Sequence, residues 1–297
     1  MTVDDAARPA AAVIPAFTNA GGGSAGQAMD ALRADARFAV REVEPARLSE
    51  MLRAEAASGT GRVLVSGGDG TVATAAAALA RSDVELAVLP SGTLNHFAKS
   101  TGIPTNDAAA LDVGAMAGSR PVDVGYVNDR IFINTSSVGA YVTYVRMRER
   151  LERWMGYWLA SFVAGVRILF RLRSFAVTLE VEGQARTIRT PLVFVGVAER
   201  EPVPEGSTPE HRPGLRVVVV PSRGMARTLA RALAAASRGD REAALPDEHN
   251  FLVDRCQVDL RGARAVVAVD GELVRLTTPL EYRIERGAVR VVGASGA

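Results

Sequence analysis

The chain has 297 residues, a length that suggests roughly two domains, and its 48% hydrophobic and 23% charged content supplies ample material for globular cores. A net charge of +2 is too small to argue for nucleic acid as a partner. The pI near 9 reflects arginine usage, since Lys99 is the only lysine, and one cysteine, Cys256, excludes an intrachain disulfide and any cysteine-cluster metal site.

The first residues, "MTVDDAARPAAAVIPAF", are acidic and lack the basic start and long apolar run of a secretory leader. Ala11 to Phe17 reads as a short strand. The small-residue stretch "NAGGGSAG" follows, and then a helical pattern from Gln27 to about Ala36. Phe38 to Val43 reads as a strand, Pro45 to Ser58 as a helix, Arg62 to Val65 as a strand, Val72 to Ala80 as a helix and Glu85 to Leu89 as a strand. Strands alternating with helices at this spacing argue for a parallel sheet with crossovers.

After about Val122 the character changes. "RIFINTSSV", "FAVTLEVEG", "RTPLVFVGV", "LRVVVVP", "CQVDLRG", "AVVAVDGE" and "LEYRIERGAVRVVG" are short β-rich runs bounded by Gly, Pro and charged residues, as in an antiparallel sheet or sandwich. Two helical patches interrupt them, Val145 to Leu172 and Met225 to Arg238, and the polar, Pro-rich stretch 199–214 reads as a long exposed loop. The longest apolar stretch, Trp154 to Phe170, is interrupted by Arg167. It is shorter than the roughly 20 apolar residues of a membrane span. It suits either a buried helix or a lipid-facing surface bearing Trp154, Tyr157 and Trp158.

Chemistry concentrates in "VLVSGGDGTVATAAAALA", residues 63–80. Glycines at a strand-to-helix turn let a backbone approach a ligand closely. The helix after the turn offers unpaired N–H groups and a partial positive charge, which suit phosphate, and Thr71 can cap that helix or donate its hydroxyl. Asp69 would repel a phosphate unless a cation intervenes, which makes it a candidate Mg²⁺ partner; read alone, the same aspartate could simply cap the helix. "AVLPSGTLNHFAKSTGIP", residues 87–104, repeats the arrangement with Pro90-Ser91-Gly92-Thr93. Two such turns at strand carboxyl ends would face the crevice where open α/β sheets bind ligands. Neither turn fits a Walker site or a dinucleotide fingerprint.

"GGDGT" followed some twenty residues later by "LPSGTLNHFAKSTGIP" resembles the diacylglycerol kinase catalytic family, which includes bacterial lipid kinases and sphingosine kinases. "VDVGYVNDRIFINTSSVGAY" (122–141) and "VDGELVRLTTPLEYRIERGAVRVV" (269–292) are similar to later stretches of that family, the second with a D-G-E signature. The resemblance implies an α/β fold. Residues 1–122 would form a phosphofructokinase- or NAD kinase-like nucleotide domain, with the final strands, about 280–297, packing back on it. Residues 123–279 would form a C-terminal β-sandwich receiving a lipid acceptor, with the active site in the cleft between the two.

The implied reaction is transfer of the ATP γ-phosphoryl group to a lipid hydroxyl, with Mg²⁺. By the resemblance, Gly67, Gly68, Asp69, Gly70 and Thr71 cradle the phosphates and Asp69 serves the metal. Gly92, Thr93, Asn95 and Asn19 line the same site; Glu272 and Asp69 are the catalytic candidates, Glu272 as candidate general base, with the choice of base between the two left open. His96, where the family often has aspartate, reads as a helix-start residue. His211 and His249 form no ligand spacing. "HRPGL" (211–215) stands where many bacterial members have an aspartate-rich run, so a second, structural Mg²⁺ is not expected. The implied protein is cytoplasmic and meets a membrane surface peripherally, without a transmembrane span, and a homodimer is compatible with it. Two further readings stay open: a catalytically weak lipid- or nucleotide-binding regulatory member, and a kinase of a soluble acceptor such as NAD.

Overall fold

The computed structural model describes residues 13–18, 25–139, 142, 147, 174–181, 184–197, 214–220 and 250–293. The chain divides into two compact units, one reaching to Pro121 and resuming at Ala288, the other running from Val122 to Gly287.

In the first unit strands and helices alternate: β1 (Ile14–Thr18), α1 (Ala25–Ala34), β2 (Phe38–Glu42), α2 (Pro45–Ala57), β3 (Arg62–Gly67), α3 (Asp69–Leu79), β4 (Glu85–Pro90), α4 (His96–Thr101) and α5 (Asp107–Met116). The strands lie in the order β2-β1-β3-β4, and every pair is parallel. The end of a later strand, β16 (Leu280–Val292), adds beside β4, also in parallel. A parallel strand covered on both faces needs a continuous apolar run. Val63, Leu64 and Val65 of β3 and Leu86, Ala87, Val88 and Leu89 of β4 supply one, and all are buried. The covering helices bury Val72, Ala75, Ala76 and Leu79 on α3, and Ala110, Leu111 and Gly114 on α5. At Gly114 an added Cβ would stand 3.2 Å from Leu64 Cδ1, so α5 lies close on the sheet.

Helix α5 is the element that the sequence pattern does not separate. Its apolar residues are mostly alanines, which carry little periodic contrast. Its start is marked by Asn106, whose side chain accepts a hydrogen bond from the Ala109 amide at 3.1 Å. Its other end is sealed by Arg62. The Nη1 of that residue donates to the carbonyls of Gly114 and Ala115, each at 3.0 Å, and its Nη2 to that of Ala117 at 2.9 Å. The same guanidinium grips Glu85 Oε2 through Nε (2.9 Å) and Nη2 (2.6 Å). Ser119 donates to the other carboxylate oxygen of Glu85.

The second unit is built from strands. These are the rest of β5 (Ser119–Val127), β6 (Arg130–Phe132), β7 (Thr135–Gly139), β8 (Phe175–Val181), β9 (Gln184–Thr190), β10 (Leu192–Val197), β11 (Leu215–Val220), β12 (Asn250–Val253), β13 (Arg255–Asp259), β14 (Arg264–Val269), β15 (Glu272–Thr277) and the first part of β16. One antiparallel sheet runs β12-β11-β10-β7-β14-β15; in the other, β16, β13, β8 and β9 are neighbours in that order. Val177, Leu179, Val258 and Tyr282 from one sheet and Val138, Val193, Val217 and Val267 from the other form a single core, the arrangement of a β-sandwich. The two polar atoms that Tyr282 and Ser136 bring into this core satisfy each other, at 3.1 Å. Cys256 belongs to the same core, and burial pushes its thiol up to about 12, so it stays protonated and inert. The predicted helical patches Val145–Leu172 and Met225–Arg238, with Trp154, Tyr157 and Trp158, lie outside the described residues apart from Met147; residues 199–213 of the predicted loop, including His211, lie outside them as well, and so does His249.

The Arg62–Glu85 knot makes stability depend on pH. Burial raises the Glu85 carboxyl, but hydrogen bonds from Ser119 and Arg62, with the charges of Arg62 and Arg290, outweigh it and hold the group below its ordinary value. A depressed carboxylate stabilises the fold above its unfolded pKa of about 4.3, and that contribution is lost as pH falls through the lower folded value. Glu85→Gln is expected to lower unfolding free energy by about 1.5–3 kcal/mol at pH 7, with the deficit against wild type shrinking below pH about 4.3. Urea melts of both proteins at pH 7 and pH 3 measure it; an equal deficit at both values would remove the charge from the explanation.

Candidate active site

The two glycine turns leave adjacent parallel strands side by side, with Gly67 of β3 in register with Pro90 of β4. Beyond Gly67 the chain enters α3 through Gly68, an extended N-cap residue without a side chain to cap the helix. The amides of Thr71 and Val72 both turn back to the Gly68 carbonyl at 3.0 Å. The first-turn amides of Asp69 and Gly70 have no carbonyl four residues earlier within the helix, the usual condition of an α-helix start.

The turns touch through their backbones. A Cβ on Gly92 would stand 2.5 Å from Gly68 Cα, and one on Gly68 would stand 3.2 Å from Gly92 Cα. A side chain at Gly67 would collide with Thr71, whose Cβ lies 2.4 Å from the position it would occupy. The Ser91 amide donates to the Gly67 carbonyl at 3.1 Å, and the hydroxyl of Ser66 donates to that of Ser91 at 3.3 Å. These small residues are therefore required by steric fit, apart from any ligand.

Two polar side chains then fix the second turn. Asn95 adopts a left-handed backbone (φ 49°). Its Oδ1 accepts from the Gly92 amide at 3.0 Å while its Nδ2 donates to the Gly92 carbonyl at 2.8 Å, closing the loop over Thr93 and the exposed Leu94. Asp69 reaches across from the first turn. Its Oδ2 accepts from the amide of His96 (3.0 Å) and its Oδ1 from that of Phe97 (2.8 Å), the first two residues of α4. The aspartate thus caps a neighbouring helix, not the one it begins. Sequence reading places Asp69 at a phosphate nest and misses this role, because the partner lies 27 residues away. The uncapped start "NHF" after a turn is the available signal.

Of the expected residues, the structure brings together Gly67, Gly68, Asp69, Gly70 and Thr71 with Gly92, Thr93 and Asn95. Among the described residues the hydroxyls of Thr71 and Thr93 have no hydrogen-bond partner. Asn19 lies outside the described residues. His96 opens α4, as a helix-start residue should. No group of three His, Cys, Asp or Glu side chains that could hold a metal occurs among the described residues. Mg²⁺ asks less of a protein, since it keeps several waters and takes one or two carboxylates together with phosphate oxygens. Asp69 brings a carboxylate of this kind to the paired turns.

Glu272 lies in the second unit, at the start of β15 after the two-residue turn Asp270–Gly271, in register with Val269. Asp270 and Gly271 have positive φ (47° and 90°), which only such a turn makes acceptable. The Asp270 carboxylate accepts from the amides of Ile133 and Asn134 at 2.9 Å and of Thr135 at 3.0 Å. In the D-G-E run, the aspartate is thus an anchor and the glycine a turn. The glutamate alone is turned outward, 3.1 Å from Arg130 Nη2, with both side chains at least half exposed.

Residues 14–127 match the family model of the diacylglycerol kinase catalytic domain. A probable lipid kinase of Pseudomonas aeruginosa (strain UCBPP-PA14), described as YegS-like, is 41% identical over 104 residues, which is 34% of each chain. A diacylglycerol kinase of Mycobacterium tuberculosis (strain H37Rv) is 32% identical over 138 residues, 45% of each chain. One of Bacillus subtilis (strain 168) is 35% identical over 127 residues, 41% of each. The similarity thus spans less than half the length of these curated relatives. At the level of fold it is longer: a crystal structure of a diacylglycerol kinase from Bacillus anthracis superposes with a TM-score of 0.68 at 21% identity, covering 94% of this chain and 96% of that one. Both glycine turns fall inside the stretch, residues 14–127, that matches the diacylglycerol kinase catalytic-domain model.

Proposed function

We propose that this protein is an ATP-dependent lipid kinase that transfers the γ-phosphoryl group of ATP to the hydroxyl of a lipid alcohol such as diacylglycerol. The observation that carries the reading is the pair of glycine turns, held backbone against backbone at the carboxyl ends of β3 and β4. They frame the start of α3 with fixed amides and two hydroxyls, Thr71 and Thr93, that no group among the described residues engages. Such an arrangement suits a polyphosphate. Kinship with proteins named as diacylglycerol and lipid kinases supports the acceptor class.

In this reading the acceptor oxygen forms a bond to the γ-phosphorus as the bond to the β,γ-bridging oxygen breaks, and that electron pair leaves on ADP. The acceptor's proton moves to the Glu272 carboxylate. Phosphoryl transfer asks a protein chiefly for positioning and charge stabilisation. The amides at the start of α3 and the Thr71 and Thr93 hydroxyls hold phosphate oxygens. Asp69 would hold Mg²⁺, which neutralises charge developing on the phosphates. An acceptor of this kind sits at a membrane surface, which the enzyme meets peripherally in this reading. No helix among the described residues is long and apolar enough to cross a membrane.

The decisive measurement is ATP turnover with diacylglycerol, a sphingoid base and phosphatidylglycerol in mixed detergent micelles, with NAD as a soluble alternative. Phosphorylated lipid and ADP in equal amounts are expected. Nucleotide binding without a lipid product, or phosphorylation of NAD alone, would overturn the reading.

Two variants test its parts. Asp69→Asn is expected to reduce kcat by on the order of 100-fold, the scale of losing a preorganised electrostatic group, with the circular dichroism spectrum unchanged. Turnover near wild type would leave Asp69 as a helix cap only. Gly92→Ala forces a methyl group against Gly68 Cα and is expected to part the turns. Nucleotide affinity measured by calorimetry should fall at least tenfold, about 1.4 kcal/mol. Unchanged affinity would show that the contact between the turns is irrelevant to nucleotide.

A further inference from the structure

We propose that Arg130 is a positioning residue for Glu272, its guanidinium fixing the carboxylate that receives the acceptor's proton; this rests on the kinase reading above. Arg130 Nη2 lies 3.1 Å from Glu272 Oε2. The two side chains are 50% and 60% exposed, and an ion pair so exposed adds little to stability. The fold nevertheless holds the pair's two backbones in place from both sides.

Arg130 opens β6 directly after a two-residue turn, Asn128–Asp129, with Val127 in register with Arg130. Asn128 takes a left-handed φ of 53°. Its Nδ2 donates to the Thr277 carbonyl at 2.9 Å and its Oδ1 accepts from the Glu281 amide at 2.8 Å. Its own amide donates to the Glu281 carbonyl at 2.8 Å. On the other side, Glu272 stands two residues beyond Asp270, whose carboxylate gathers the amides of Ile133, Asn134 and Thr135. The Asp270 amide donates to the Thr135 carbonyl at 2.8 Å. Two tight hairpins are thus fastened, one by an asparagine and one by an aspartate, and the first residue after each turn is one member of the pair.

The chemistry gives the pair a purpose. A carboxylate that accepts a proton from a hydroxyl attacking phosphorus works close to several anionic oxygens, which repel it and favour its swinging away. A guanidinium bonded to Oε2 offsets that repulsion and restricts rotation. Oε1, which has no hydrogen bond among the described residues, is left to take the proton. Arginine suits this duty because it stays charged at every working pH and directs its donors in a fixed plane.

The test uses the full chain with ATP and short-chain diacylglycerol in mixed micelles, or whichever lipid alcohol of the panel is turned over. The variants are Arg130→Gln, Arg130→Lys, Glu272→Gln and the double variant Arg130→Gln with Glu272→Gln. Arg130→Gln should lower kcat by roughly 10- to 100-fold, the scale of a misplaced reacting group, with the KM for ATP and the melting temperature unchanged. Arg130→Lys should recover part of the loss. In the Glu272→Gln background the arginine change should cost nothing further. Equal losses in both backgrounds, wild-type kcat in Arg130→Gln, or a lowered melting temperature shared by the Gln and Lys variants would each overturn the proposal. Wild-type turnover in Glu272→Gln would instead overturn the assignment of the base, a separate and distinguishable failure.

Discussion

The close approach of Gly68 to Gly92 is the constraint around which the first unit is arranged. Two parallel strands in register deliver their turns to the same end of the sheet, backbone against backbone. Any side chain at Gly92 would collide with the backbone of the other turn. Once the turns meet, their polar groups need fixed partners, and the chain supplies them locally. Asn95 closes the second turn on Gly92, and Asp69 crosses from the first turn to the amides of α4. The second turn and the start of α4 are therefore fixed by the protein itself. A rigid site of this kind spares a ligand the cost of ordering it.

Much of this is legible in the residues alone, and the reason is physical. Buried parallel strands are nearly continuous apolar runs, so β3 and β4 stand out in "VLV" and "LAVLP" with their turns marked by glycine. The alternation of strand and helix to about Leu89, and the change to short β runs after Val122, carry enough periodicity to give the architecture. Helix α5 escapes such a reading because a buried face of Ala110 and Gly114 with a single leucine, Leu111, has little apolar contrast. The cap on α4 escapes it because a hydrogen bond between residues 69 and 96–97 leaves no local trace. In "VDGE" the hairpin and the candidate base look like rival interpretations of one segment. In the structure the first two residues of D-G-E are the anchor and the turn, while the third is the exposed carboxylate.

The second unit solves a different problem. Its strands face a shared apolar core in two layers, where the hydroxyls of Tyr282 and Ser136 pair with each other. Its hairpin turns have left-handed residues, Asn128 and Asp270, whose side chains bond to neighbouring strands instead of to solvent. Turns secured in this way confine the next residues of the chain to a narrow range of positions. In the first unit bare glycines bring backbones together, whereas here polar side chains span the gap.

The division of the chain at Pro121 and Ala288 has a consequence for biosynthesis. The strand segment beside β4, with Val291 and Val292 buried in the first unit, is translated only after every residue of the second unit. The first unit is therefore unfinished, with one side of β4 lacking its neighbour, while residues 122–287 are made. An open parallel edge invites wrong pairing during that interval. The inserted β-rich unit has an apolar core of its own, and the segment that pairs with β4 is made only after it.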